Sequence, residues 1–261
     1  MLVATDAIVL RSRKQGDTSK IVTLYSKEYG LVDVIAKGAR QQKSKFGSAL
    51  EPFTNSKIVF YRKEQSELYL LSAAEVNLAH RRIMADLDHI EAATRIAELL
   101  IRSQHHEEGH AEIFDLVCRT LGLMDATTTG EAVWPILYWF FLRYSALSGF
   151  EITFTFEPQE GKHFFFDTEI GDIIELDGGG SSGHEYPQRY VPLTREIIGA
   201  VKYLNANPLE HAAALRLSPS ARIGLDTLFR TYFGNHLEGM QRGRAKSERV
   251  FGAMKNGKQQ H

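Results

Sequence analysis

The sequence predicts an α+β protein: a small five-stranded β-barrel first, then a helical region interrupted by a short β-rich insertion. Three observations carry this reading. Five β-rich runs separated by turn residues fill the first 80 residues. From about Ala79 the apolar residues recur at helical spacing. A β pattern returns once, over Gly149–Tyr190, before helical spacing resumes.

The five runs are Asp6–Arg13, Ser19–Tyr25, Leu31–Lys37, Ser56–Arg62 and Ser66–Ser72. They are short and rich in β-branched and aromatic residues, as the strands of a small barrel are. Gly38–Asn55, between the third and fourth runs, is too long for a hairpin turn, and long loops in small domains often bind something. Helices are expected over Asp86–Gln104, Ala111–Met124 and Glu131–Leu147. The third is apolar almost all round, with Trp134, Tyr138, Trp139, Phe140, Phe141 and Tyr144, which marks the centre of a bundle; Pro135 is expected in its first turn. In the insertion, Ile152–Phe156, Lys162–Phe166 and Asp172–Leu176 read as β, followed by a glycine-rich loop at Gly178–Gly183. Helices then return at Arg195–Leu204, Asn207–Leu215 and Ser218–Leu237, the last opened by a Ser218 cap and Pro219. A basic tail, Gln241–His261, is expected to fray. The expected divisions are 1–80, 81–148, 149–190, 191–240 and 241–261.

A hydrophobic content of 43% supports real cores. Val133–Leu147 is too short and too interrupted to span a bilayer, and the N-terminal residues lack the pattern of a secretion signal, so a cytoplasmic protein is expected. The single cysteine, Cys118, forbids an internal disulfide and a cysteine-based zinc site, and its place on an apolar helical face makes it inert. The net charge of −1 conceals segregation: 13 basic and 8 acidic residues in 1–81, 7 and 19 in 82–190, 11 and 5 in 191–261. Basic ends around an acidic middle point to an anionic partner for the ends, the alternative being charge spread for solubility alone.

The strongest local signal is Lys37–Phe46, KGARQQKSKF. Lys37, Arg40, Lys43 and Lys45 on a loop beside a barrel suit a phosphate backbone, because each contact releases counterions. Arg11, Arg13, Lys14, Lys20 and Arg62, on or beside the neighbouring strands, extend the cationic set. Phe46, Phe60 and Tyr61 are candidates for base stacking, which tolerates any sequence. The alternative is a solvated loop with a core phenylalanine.

These pieces resemble a known family. The opening strand, then GDTS at Gly16–Ser19, YG at Tyr29–Gly30, AKGAR at Ala36–Arg40 and LEPF at Leu50–Phe53, in this order, are similar to the N-terminal region of the RecO family. Beyond Ser72 the similarity lies in layout, with FRTYFGNHLEG near the C-terminus matching only loosely. The resemblance implies an OB-fold barrel that binds single- and double-stranded DNA and anneals complementary strands without ATP. It implies help to the RecA recombinase in displacing single-strand-binding protein, together with the partner RecR, and contact with that protein's acidic, hydrophobic tail in the helical domain. It places Lys37 and Arg40 where basic DNA contacts are expected; Lys43 and Lys45 extend that set by charge and loop position. It implies a mediator without catalysis or cofactor.

One departure stands out. Many members carry a four-cysteine zinc module where this chain has Gly149–Tyr190, which contains no cysteine and only His163 and His184. A structural zinc takes four good ligands, so a metal-free module packed by Phe154, Phe156 and Phe164–Phe166 is expected. His105, His106 and His110 stand with Glu107 and Glu108; His106 and His110 have metal-binding spacing on a helix, but Gly109 between them favours a solvated polar loop. Asp86, Asp88 and Glu91 read as helix N-terminal acids. Gly178–Gly180 is not followed by Lys-Ser or Lys-Thr, so no nucleotide-binding loop is present. Two alternatives stay open: an RNA-binding barrel, and a metal-dependent phosphodiesterase using the histidine or carboxylate cluster.

Overall fold

The computed structural model describes residues 1–63, 66–106, 108–154, 156, 158, 162–176 and 189–237. By contact the chain forms two compact units: Met1–Gly149 with Leu204–Arg216, and Phe150–Tyr203 with Leu217–His261.

The first unit opens with a closed barrel of β1 (Leu2–Gln15), β2 (Ser19–Ser26), β3 (Gly30–Ala36), β4 (Asn55–Tyr61) and β5 (Leu68–Leu78), in the order β1-β2-β3-β5-β4. This is the OB-fold that the sequence pieces imply. Neighbours run antiparallel except β3 and β5, which close the barrel as a parallel pair from Asp33–Leu68 to Ile35–Leu70. Two strands exceed their sequence runs: β1 begins at Leu2 and β5 reaches Leu78. The register explains β1. Followed round the barrel from Arg13 through Ile21, Ile35, Leu70 and Tyr61, it returns to β1 at Leu2. The strands are strongly sheared, so β1 serves β4 with its first half and β2 with its second. A bulge between Val9 and Arg11 bends it.

Val3, Val9, Val22, Leu24, Val32, Val34, Ile58 and Leu71 fill the interior at alternate positions. The long β3–β4 connection is not a solvated arch. It winds through successive turns, sends Phe46 and Leu50 into the barrel, and rejoins β1 through Phe53 N–H to Val9 O (2.8 Å) and Val9 N–H to Thr54 O (3.0 Å).

Helices α1 (Leu87–Ser103), α2 (Ala111–Ala126) and α3 (Gly130–Leu147) complete the unit with the four-residue α5 (Leu209–Ala212). The Asp86 carboxylate caps α1, accepting from His89 N–H at 3.2 Å and meeting His89 Nδ1 at 2.7 Å, which holds Asp86 below the usual carboxylate range. Helix α3 is buried on nearly every side. Its polar atoms are satisfied: Trp134 Nε1 donates to Asp88 Oδ1 (3.2 Å) and Trp139 Nε1 to Asn207 O (2.9 Å). Because α3 starts at Gly130, Pro135 falls in its second turn rather than its first. The helix expected over Asn207–Leu215 shrinks to α5, and Pro208, which lacks an N–H to continue a helix, separates it from the one ending at Ala206.

A hydrogen-bonded chain ties barrel to helices: Tyr25 Oη donates to Gln104 Oε1 (3.1 Å), Gln104 Nε2 to Tyr144 Oη (2.7 Å), and Tyr144 Oη to Ser103 Oγ (2.5 Å). Burial pushes the Tyr25 phenol upward, so it stays a donor. The α1–α2 connection, expected to be a solvated loop, lies instead on the β2–β3 turn. Leu31 N–H donates to His105 O at 3.0 Å, and His106 bridges to Gly30 and Leu31. The helix α2 begins only at Ala111, so His106 and His110 share no helical face.

The second unit holds a three-stranded sheet in the order β7-β6-β8, formed by β6 (His163–Asp167), β7 (Asp172–Leu176) and β8 (Tyr190–Leu193), with α4 (Arg195–Ala206) through Tyr203 and α6 over 219–237. Sequence reasoning did not anticipate β8, and residues 152–154, expected to be β, form no regular strand. The phenylalanines pack together: Phe154 against Phe166 at 5.8 Å, Phe156 against Phe164 at 4.8 Å, and Phe166 against Tyr232 at 5.3 Å. Ser218 Oγ accepts from Ala221 N–H at 3.2 Å, capping α6 ahead of Pro219. The glycine-rich loop at Gly178–Gly183, His184 and the tail Gln241–His261 lie outside the described residues. No helix among the described residues is long and apolar enough to cross a membrane.

Candidate nucleic-acid interface

The second half of β1 pairs only with β2, so Arg11–Gln15 form the open edge of a hairpin closed at Gly16, while β2 pairs with β3 on its other side. Lys14 sits directly opposite Lys20 on this hairpin. Like charges in that position repel, and a bound anion relieves the repulsion. Lys20 is engaged by Glu51 at 3.1 Å. Lys14 is exposed and has no ion pair among the described residues. Arg11 and Arg13 are exposed on the opposite face of the same strand.

Lys20 pairs with Ala36, and Lys37 follows at the start of the β3–β4 connection. Here Arg40 acts as a clasp. Its Nη1 donates to Gly16 O (2.9 Å) and Asp17 O (3.0 Å), while its backbone N–H donates to Thr18 O (2.9 Å). The loop is thereby pinned to the hairpin tip. At its far end Lys45 Nζ donates to Ser72 O at 2.6 Å and lies 5.1 Å from the Phe46 ring centroid. Between the two anchors Lys43 is exposed, as is Lys37, and neither has an ion pair among the described residues. The barrel end thus carries Lys14, Lys37 and Lys43 as solvent-facing cations, with Arg11 and Arg13 on the other face of the hairpin. Arg62 is half-buried on another part of the barrel, its guanidinium 5.5 Å from the Tyr29 ring.

Two of the three stacking candidates are corrected. Phe46 is 3% exposed and Phe60 0%: both fill the barrel and offer no face to a base. Phe60 packs against Tyr69 at 5.3 Å and edge-on to Tyr29 at 6.0 Å. Adjacent residues of a strand point to opposite faces, so Phe60 and Tyr61 were never able to act together. The shared phase of Ile58 and Phe60 was the signal that separates them. Tyr61 is 51% exposed on the outside.

Burial, with Asp115 nearby, pushes the Cys118 thiol up to about 12, so no thiolate nucleophile forms at neutral pH. Among the described residues no cluster of three or more histidine, cysteine or carboxylate side chains is arranged to hold a metal ion.

The family model for the recombination protein O N-terminal region matches residues 1–78, and that for its C-terminal region matches residues 84–245. The DNA repair protein RecO of Salinibacter ruber is 28% identical over 247 residues, covering 94% of this chain and 92% of that protein. RecO of Chloroherpeton thalassium is 24% identical over 253 residues, covering 94% and 97%. RecO of Chlorobaculum parvum reaches 35% identity over 150 residues, 58% of this chain and 57% of that protein. With the N-terminal model matched over the barrel and its cationic rim and the C-terminal model over the residues that follow, the chain belongs to the RecO family.

Proposed function

We propose that this chain is a DNA repair and recombination mediator that holds single- and double-stranded DNA on the cationic end of its barrel and turns no substrate over. One observation carries the reading: in a RecO-family chain, the Arg40 clasp brings Lys37 and Lys43 to the hairpin that carries Lys14, leaving all three free to meet phosphates. Cations without base-edge geometry hold any sequence, and a protein that holds two strands loosely speeds their pairing without ATP. On this reading it anneals complementary strands and, with RecR, helps RecA load onto DNA coated by single-strand-binding protein. Its place of work is the nucleoid in the cytoplasm. The test is annealing of complementary oligomers without ATP, with and without single-strand-binding protein on the strands. Acceleration in both arms is expected. Annealing no faster than spontaneous pairing, with no DNA binding at low salt, overturns the proposal. An RNA oligomer that outcompetes single-stranded DNA of equal length would assign the barrel to RNA instead.

For the acidic, hydrophobic tail of single-strand-binding protein we propose the cavity between β1 and α1, about 530 Å³, floored by Leu10, Phe53, Met84, Ile90 and Ile101. Arg11 and Arg102 line it beside Glu98, so an apolar anchor and carboxylates find partners together. Arg102→Ala is expected to weaken binding of a labelled tail peptide about tenfold, the loss of one charge-assisted contact. Unchanged anisotropy titrations would remove the cavity from this role.

A further inference from the structure

The outside of the barrel carries an apolar band that the cationic rim does not account for. Ile35 of β3 pairs with Leu70 of β5, Leu70 with Tyr61 of β4, and Tyr61 with Leu2 of β1. These side chains share the outer face. Leu2 is 54%, Tyr61 51% and Leu70 38% exposed. Beside them Ala4, Val59 and Ala73 form a second, flatter row, joined by the same register. Asp6, Lys57 and Glu75 form a third, charged row that ends the band. Large exposed apolar side chains standing directly opposite one another across adjacent strands mark a contact surface rather than scattered exposure.

We infer that this band is the platform on which the unpaired bases of a bound strand lie, with Tyr61 as the stacking ring and Leu2 and Leu70 beside it. The inference deepens the DNA-binding reading and rests on it. Two features favour bases over a protein surface. In register the row runs on from Ile35 through Ile21, which is 9% exposed, to the exposed Arg13, so the apolar band leads towards the cationic end of the barrel. The ring itself is placed for stacking: among the described residues Tyr61 makes no ring contact, and its strand end is fixed by two hydrogen bonds between Met1 and Arg62, Met1 N to Arg62 O and Arg62 N–H to Met1 O, each 2.8 Å. An aromatic face accepts any base, and phosphates meet Arg13 at the far end of the row. In a duplex the base faces are already covered by their neighbours. The platform therefore acts on single strands alone, while the rim acts on both forms, and the barrel prefers unpaired DNA for this reason.

The experiment titrates the full-length wild type, Tyr61→Ala, Tyr61→Phe and the double variant Lys37→Ala/Lys43→Ala with one single-stranded oligomer and its duplex, over a range of salt. Tyr61→Ala is expected to lose about tenfold in single-strand affinity. Its duplex affinity and its salt slope stay those of the wild type, and Tyr61→Phe retains binding. The lysine double variant weakens on both forms and loses slope. Wild-type binding with no loss in Tyr61→Ala, or an equal loss on both DNA forms, overturns the platform and leaves the rim standing. Absence of wild-type binding to either form at low salt overturns the DNA reading itself, and the platform with it.

Discussion

Gly30→Ala is expected to cost about 3 kcal/mol of stability, because it combines a strained backbone with a direct collision. Gly30 has φ +62°, a region that residues with a Cβ rarely adopt, and a Cβ there would stand 2.3 Å from Glu108 O and 2.5 Å from His105 O. Both obstacles are backbone atoms and cannot rotate away. The α1–α2 connection would have to leave the β2–β3 turn and give up the Leu31 N–H to His105 O bond at 3.0 Å. For a protein of this size the loss corresponds to a fall in Tm of roughly 6–12 °C. Gly16→Ala is the control: its φ is +57°, yet nothing lies within 4 Å of the added Cβ, so only the strain of about 1 kcal/mol applies. Thermal melts followed by circular dichroism compare the two. Equal, small shifts in both variants would show that the close approach at Gly30 constrains nothing.

That joint also shows where sequence reasoning stops. The barrel was legible because its runs are β-branched and end in turn residues, and α3 because an all-apolar helix has few homes other than a core. The end of β5 was not legible: Ala73–Leu78, AAEVNL, is poor in strand formers and becomes strand only because β4 pairs with it from Asn55 to Val59. The parallel β3–β5 pairing has no sequence signature at all, since nothing local links Asp33 to Leu68. His105–Gly109 reads as polar and solvated, and its role lies in backbone atoms that its side chains do not advertise. The candidate site divides in the same way. Cationic residues are visible in any sequence; which of them is already occupied is not. Only the folded chain shows that Lys20 meets Glu51, that Lys45 and Arg40 spend their donors on carbonyls, and that Lys14, Lys37 and Lys43 do not.

This division sets the size of the effect on DNA. A cation that meets a phosphate of a single strand contributes about 0.7 to the slope of log K against log salt, and at 50 mM salt that is roughly eightfold in affinity relative to 1 M. Lys37→Ala/Lys43→Ala is therefore expected to lower the slope by about 1.4 and the affinity at 50 mM by roughly sixtyfold. Lys20→Ala should change the slope little, because its ammonium is already neutralised by Glu51 and removing it also frees a carboxylate near the rim. Arg40→Ala falls between the two. Its guanidinium faces Gly16 and Asp17 carbonyls rather than solvent, so its loss loosens the loop and scatters Lys37 and Lys43 instead of deleting a phosphate contact. Affinity then drops with most of the slope retained. Equilibrium titrations of all three variants at four or more salt concentrations separate these outcomes. If Lys20→Ala flattened the slope as much as the double variant, charge count alone would govern binding and the clasped geometry of the loop would be irrelevant to it.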